Sequence, residues 1–223
     1  MMEMKQILND WQGLFPALSP YTPSTLYTKA DFVLMGLRLE KVMSDTYRVI
    51  LECLPLWEQD KSSMKIPVFS WELYDKKGMQ FFIKTSLHEH LFPTAAGCAE
   101  EQFGALLKEN ILAGDLCRCI RKASATFATK HNPTNWHRIL TFKLVLATYL
   151  NDARFLAEVR QEIETETGHW DSDRFAALFR KSKEEWKADL YRRFEDREAL
   201  LERIQTHMDD KKIAGMKPSH ILL

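Results

Sequence analysis

The sequence predicts an α+β fold: an N-terminal four-stranded antiparallel sheet made of two hairpins, followed by a C-terminal bundle of four to five helices. Three observations carry this reading. Between Phe32 and Ser86 apolar and polar residues alternate with the period of strands. After Pro93 the period becomes helical and stays so to the end. Within that second half, Trp136–Leu150 (WHRILTFKLVLATYL) is apolar on nearly every side, and a helix without a wet face must be covered by others. Strands and helices therefore segregate along the chain, with residues 1–93 forming a helix plus sheet and residues 94–223 a helical region packed on it as one structural unit.

Taken in order, residues 3–13 read as a short helix with Met4, Ile7, Leu8 and Trp11 on one side, ended by Gly13 and Pro16. Pro16, Pro20 and Pro23 make the next stretch an extended loop. FVLMGLRLEKV and YRVILECL form the first hairpin, turning at Ser44-Asp45-Thr46. Leu37 and Leu39 share one face, Arg38 and Glu40 the other, and Tyr47, Val49, Leu51 and Cys53 make one row. A polar link, Glu58–Lys65, leads to the second hairpin, VFSWELY and MQFFIKTS, joined by Asp75-Lys76-Lys77-Gly78. Pro93 ends the sheet half.

Thr94 caps a helix through Asn110, and Gly114-Asp115 starts another bearing Leu116, Cys119, Ile120, Ala123 and Phe127. The His131-Asn132-Pro133 break precedes the buried helix, capped by Thr134 or Asn135. A shorter helix with Phe155, Leu156, Val159 and Ile163 ends at Gly168. No glycine or proline then occurs until Gly215, so a continuous helix over 173–211 would span about 55–60 Å. Either a kink near 180–184 folds it back, or its far end projects toward a partner.

Composition excludes several classes. Lys plus Arg and Asp plus Glu both number 31, so no global field draws the chain to nucleic acid or an anionic membrane. Cys53, Cys98, Cys117 and Cys119 contain no C-x-x-C pair, which argues against a disulfide framework or structural zinc. No apolar run approaches the roughly 18 residues of a membrane span, and the N-terminus lacks the apolar stretch of a secretory signal. These features together predict a cytoplasmic protein without a cofactor.

Candidate sites are few. No Gly-rich phosphate loop, nucleophile elbow or H-E-x-x-H motif is present. His88 and His90, two apart on an extended strand, would present both imidazoles to one metal ion, with His131, His137 or His169 as third ligand. Acidic residues from Glu162 to Asp173 are explained by the dipole of the following helix. Arg118, Arg121 and Lys122 share a helix face that could hold RNA or a phosphate-bearing ligand. Phe194, Leu201, Ile204 and Met208 form an apolar seam on the long helix. The leading expectation is a non-catalytic protein-interaction module, self-associating as a homodimer or binding another protein through that seam. The alternatives are a metal-dependent hydrolase using His88 and His90, and anion binding on the 115–130 helix.

Overall fold

A computed structural model of the chain describes residues 3–125 and 132–222. It opens with α1 (Met4–Leu14), which buries Ile7, Leu8 and Trp11. Then come β1 (Ser19–Thr22), β2 (Thr25–Ala30), β3 (Val33–Met43) and β4 (Thr46–Pro55), an antiparallel meander in which β3 and β4 make the expected first hairpin. β5 (Phe69–Glu72) and β6 (Phe82–Lys84) follow. The second half carries α2 (His88–Phe103), β7 (Asn110–Leu112), α3 (Ala113–Ser124), α4 (Pro133–Leu150), α5 (Ala153–Gly168), α6 (Ser172–Phe179), α7 (Lys183–Arg193), α8 (Arg197–Met208), α9 (Lys211–Ala214) and β8 (Pro218–Leu222).

The fold is α+β, with a mostly antiparallel sheet in the N-terminal half and helices after it. The sheet has eight strands among the described residues, not four, in the order β5-β4-β3-β2-β8-β7, with β1 also on β2 and β6 also on β4. The second hairpin closes through the expected Asp75–Gly78 turn, with Gly78 at φ 77° and backbone bonds from Asp75 N–H to the Met79 carbonyl and from Phe81 N–H to the Leu73 carbonyl. Its arms pair with each other only near the turn, at Tyr74 and Gln80, while β5 and β6 beyond them pair with opposite ends of β4. Of the four unexpected strands, β1, β7 and β8 are short and two of them contain proline, so they offer too few alternating positions to be read from pattern; β2, six residues long, is buried on both faces at most positions and so shows no alternation. β8 runs parallel to both β2 and β7, bringing the C-terminal residues back into the sheet.

One face of β3 and β4 is dry: Val33, Met35, Leu37, Leu39, Tyr47, Val49, Leu51 and Cys53 are buried. α4 supplies much of the cover. Its Phe142 packs against Phe32, Trp57 and Phe69, and Tyr149 lies on Phe32. The cap is Asn132, whose side chain accepts from the Thr134 amide, with Pro133 in the first turn where its missing N–H is harmless. Asn151, at φ 55°, ends the helix in the left-handed region. α2 begins before Pro93 and runs through it; Pro93 is the sixth helical residue, past the first turn, so its missing N–H leaves the Glu89 carbonyl without its helical donor.

The 173–211 stretch is not one rod. Arg180 turns left-handed at φ 54°, Ser182 forms a capping box with Glu185, and Asp196 caps α8. The expected kink near 180–184 is there, and a second break follows at Phe194. Side-chain caps start new helices without glycine or proline. Folding back assembles an aromatic cluster of Trp170, Phe175, Phe179 and Trp186, with His137 packed against Phe179 and Trp186.

Within that cluster the Trp186 indole N–H donates to His137 Nδ1 at 3.2 Å. Burial, then the charges of Arg193 and Arg138, push the His137 pKa down from 6.5 to about 4. Unfolded, the ring protonates near its ordinary pKa; folded, it stays neutral until about pH 4. Its contribution is therefore complete above pH 6.5 and declines as pH falls toward 4, by about 2–3 kcal/mol. Urea midpoints between pH 7 and 4 should show this slope, and His137→Asn, which keeps an acceptor for Trp186, should flatten it.

Candidate functional site

The second face of the sheet is built from the residues between the dry ones. Pleating turns Leu34, Gly36, Arg38 and Glu40 of β3 outward, together with Arg48, Ile50, Glu52 and Leu54 of β4. From β2 come Thr25 and Tyr27, from β5 Ser70 and Glu72. The register aligns Tyr27, Gly36, Glu52 and Ser70 in one row across four strands. Because Gly36 has no side chain, the Tyr27 ring lies over it and reaches two strands away. Its hydroxyl donates to Glu52 Oε2 at 2.8 Å.

Glu52 is 4% exposed, a burial that a carboxylate tolerates only when its oxygens are paired. Arg38 Nε donates to Oε1 at 2.6 Å, so both oxygens are engaged. Charges then alternate along the face: Glu52, Arg38, Glu40, Arg48, Glu72. The Arg38 guanidinium, helped by Arg48, holds the Glu40 carboxyl below the usual carboxylate range. Burial and the neighbouring Glu52 push the Tyr27 phenol well above its ordinary value, which keeps its proton in place.

This row floors an open cleft of about 810 Å³. One wall is the 55–67 segment, with Leu56, Lys61, Met64 and Pro67; the other is the α8–α9 corner, with His207, Asp210, Lys212 and Ile213. Lys61 and Asp210 form an ion pair across them at 2.8 Å, and His207 Nε2 lies 2.8 Å from the Glu58 carbonyl oxygen. Lys61 is so exposed that the ion pair contributes little stability. Lys212 sits over the Tyr21 ring, 4.0 Å from its centre. In the lining, Arg38, Lys61, Lys65 and Lys212 outnumber Glu52 and Asp210, so the cleft carries a positive excess. A protonated phenol and a doubly engaged carboxylate suit recognition better than proton transfer.

The residues singled out from sequence lie elsewhere and apart. His88 and His90 are on α2, not a strand, where positions two apart diverge by about 200°. The expected shared metal geometry is thus overturned. His88 is buried, with Nδ1 2.7 Å from the Tyr47 hydroxyl and Nε2 3.0 Å from Asp10 Oδ2, while His90 is exposed. No group of three His, Cys, Asp or Glu side chains among the described residues could hold a metal ion. His137 is half-buried against Phe179 and Trp186; His131, like Phe127 and Lys130, lies outside the described residues. Of the acidic stretch, Glu162 pairs with Lys143, Glu164 with Lys187, and Asp171 caps α6.

Arg118, Arg121 and Lys122 are exposed on α3 as expected, with Arg118 paired to Asp115 at 3.0 Å and Lys122 placed 5.7 Å from the centre of the Trp71 ring. The apolar seam is a correction. Phe194 and Ile204 are buried in the chain's own core, leaving Leu201 and Met208 half-exposed. α8 is instead docked on α4, its Arg197 donating to the carbonyls of Thr148 and Tyr149 at 3.0 Å.

Sequence reasoning missed the Tyr27, Gly36 and Glu52 row. Two signals were present: a glycine inside a strand, which marks close approach, and a lone Glu52 within the apolar run VILECLPL. No helix among the described residues is long and apolar enough to cross a membrane. No family model, curated protein or solved structure matches the chain.

Proposed function

We propose that the chain is a non-catalytic binding module whose recognition site is the outer-face cleft, and that its ligand is an organic anion with an aromatic or aliphatic body. The observation that carries this reading is the Tyr27, Glu52 and Arg38 trio, fully hydrogen-bonded, at the floor of an 810 Å³ cleft. That volume falls within the roughly 300–1,000 Å³ of small-molecule sites. Tyr21, Met64, Pro67 and Ile213 offer apolar and aromatic surface for the body. The lysines at the rim attract the charge, and the buried Glu52 would repel a ligand whose anionic group entered first.

Anilinonaphthalene sulfonate, an aromatic anion, probes this chemistry directly. Its fluorescence should rise saturably, one dye per chain, with the wild-type protein. Ser70→Trp places a large ring on the cleft floor from an exposed position in register with Glu52. The variant should bind at least about tenfold more weakly, a loss of roughly 1.4 kcal/mol, with an unchanged melting temperature. Equal dye binding by wild type and Ser70→Trp would remove the cleft as the site.

A further inference from the structure

A second cavity, of about 230 Å³, lies beyond Pro55 between the 57–68 segment, the first half of α4 and Arg193. What sets it apart is unsatisfied hydrogen-bonding capacity. Trp57 is 1% and Thr141 3% exposed, yet neither Trp57 Nε1 nor Thr141 Oγ1 has a hydrogen-bond partner among the described residues, and the same holds for Arg193 Nε. All three residues line this cavity. Leaving one buried polar atom unpaired is costly, and three around one space point to something that pairs them.

Their chemistry says what that is. The indole N–H and the guanidinium Nε–H can only donate, and the threonine hydroxyl can donate as well. Arg138 adds a second guanidinium to the lining, whereas Glu58 is already engaged with Arg193 at 2.7 Å. His137 uses Nδ1 to accept from Trp186, so its remaining ring proton is on Nε2. A ligand matching this set brings acceptors and negative charge, and the volume suits one small group rather than a whole cofactor. We propose that the cavity is an oxyanion site, taking a phosphate or carboxylate group on Trp57 Nε1, Thr141 Oγ1 and Arg193 Nε. It is separate from the outer-face cleft and does not depend on that cleft's ligand.

The test is calorimetric titration of the full chain with sodium phosphate and, separately, sodium acetate, against sodium chloride at matched ionic strength. Melting temperatures are followed in parallel. One oxyanion should bind saturably, and the arm that does so tells phosphate from carboxylate. Thr141→Val keeps the shape and deletes the hydroxyl, and Trp57→Phe deletes the indole donor. Each should weaken the oxyanion by about tenfold, the worth of one hydrogen bond to a charged group. The diagnostic is a divergence in sign: Thr141→Val should melt no lower than wild type in chloride, because it removes an unpaired buried group, while losing affinity. Absence of saturable binding in both arms overturns the proposal, as does wild-type affinity in both variants. A lower melting temperature for Thr141→Val in chloride also counts against it, since the hydroxyl would then have a partner within the protein.

Discussion

Gly36→Ala is expected to destabilise the protein by about 4 kcal/mol and to abolish dye capture by the outer-face cleft. A Cβ at Gly36 would stand 1.9 Å from the Leu26 carbonyl oxygen, 2.6 Å from Tyr27 Cδ1 and 2.7 Å from Tyr27 Cα. Two of these atoms are backbone of the neighbouring strand, so the overlap cannot be relieved by a rotamer change. It exceeds ordinary overpacking, which costs roughly 1–3 kcal/mol. Relief requires β2 to move away from β3 and the Tyr27 ring to lift, which breaks its 2.8 Å bond to Glu52. Tyr27→Ala combined with Gly36→Ala should recover only the part of the loss due to the ring. Urea denaturation of Gly36→Ala, Tyr27→Ala and the double variant reads both terms. A loss below about 1 kcal/mol for Gly36→Ala would show that β2 and the Tyr27 ring do not approach Gly36 this closely.

The same glycine explains why the fold was more readable than the site. β3, β4, α1 and α4 have long periodic patterns whose apolar positions are dictated by one buried face, and each is found where periodicity places it. β1, β7 and β8 are three to five residues long and exist because neighbouring strands accept their hydrogen bonds, a dependence on tertiary partners that local pattern does not carry. The turn near 180–184 is legible in the sequence as one of two alternatives, whereas the break at Phe194 is not: Ser182 and Asp196 start α7 and α8 by side-chain capping, with no glycine or proline to mark the boundary. The cleft depends on register. Tyr27, Gly36 and Glu52 are far apart in sequence and meet only when three strands align. The histidine pair failed for a related reason: its metal geometry assumed strand spacing, and the segment is the first turn of α2.

Register also ties the two faces of the sheet together. Glu52 is flanked in β4 by Leu51 and Cys53, both wholly buried on the opposite face. The floor of the cleft is therefore only as rigid as the packing beneath it. Phe142 is central to that packing, 0% exposed and packed against Phe32, Trp57 and Phe69. Phe142→Ala should cost about 4 kcal/mol, from lost transfer energy plus the cavity left behind. Chemical denaturation should show a lowered midpoint with little change in slope if the native state keeps its compactness. Exposed Phe82 is the control: at 46% exposure, Phe82→Ala should change stability by no more than about 0.5 kcal/mol. Because Trp57 bounds the donor-lined cavity and touches Phe142, Phe142→Ala should also loosen the oxyanion site, while Ser70→Trp on the far face leaves that site unchanged. Comparable losses from Phe142→Ala and Phe82→Ala would show that the aromatic centre of α4 is not what holds the sheet.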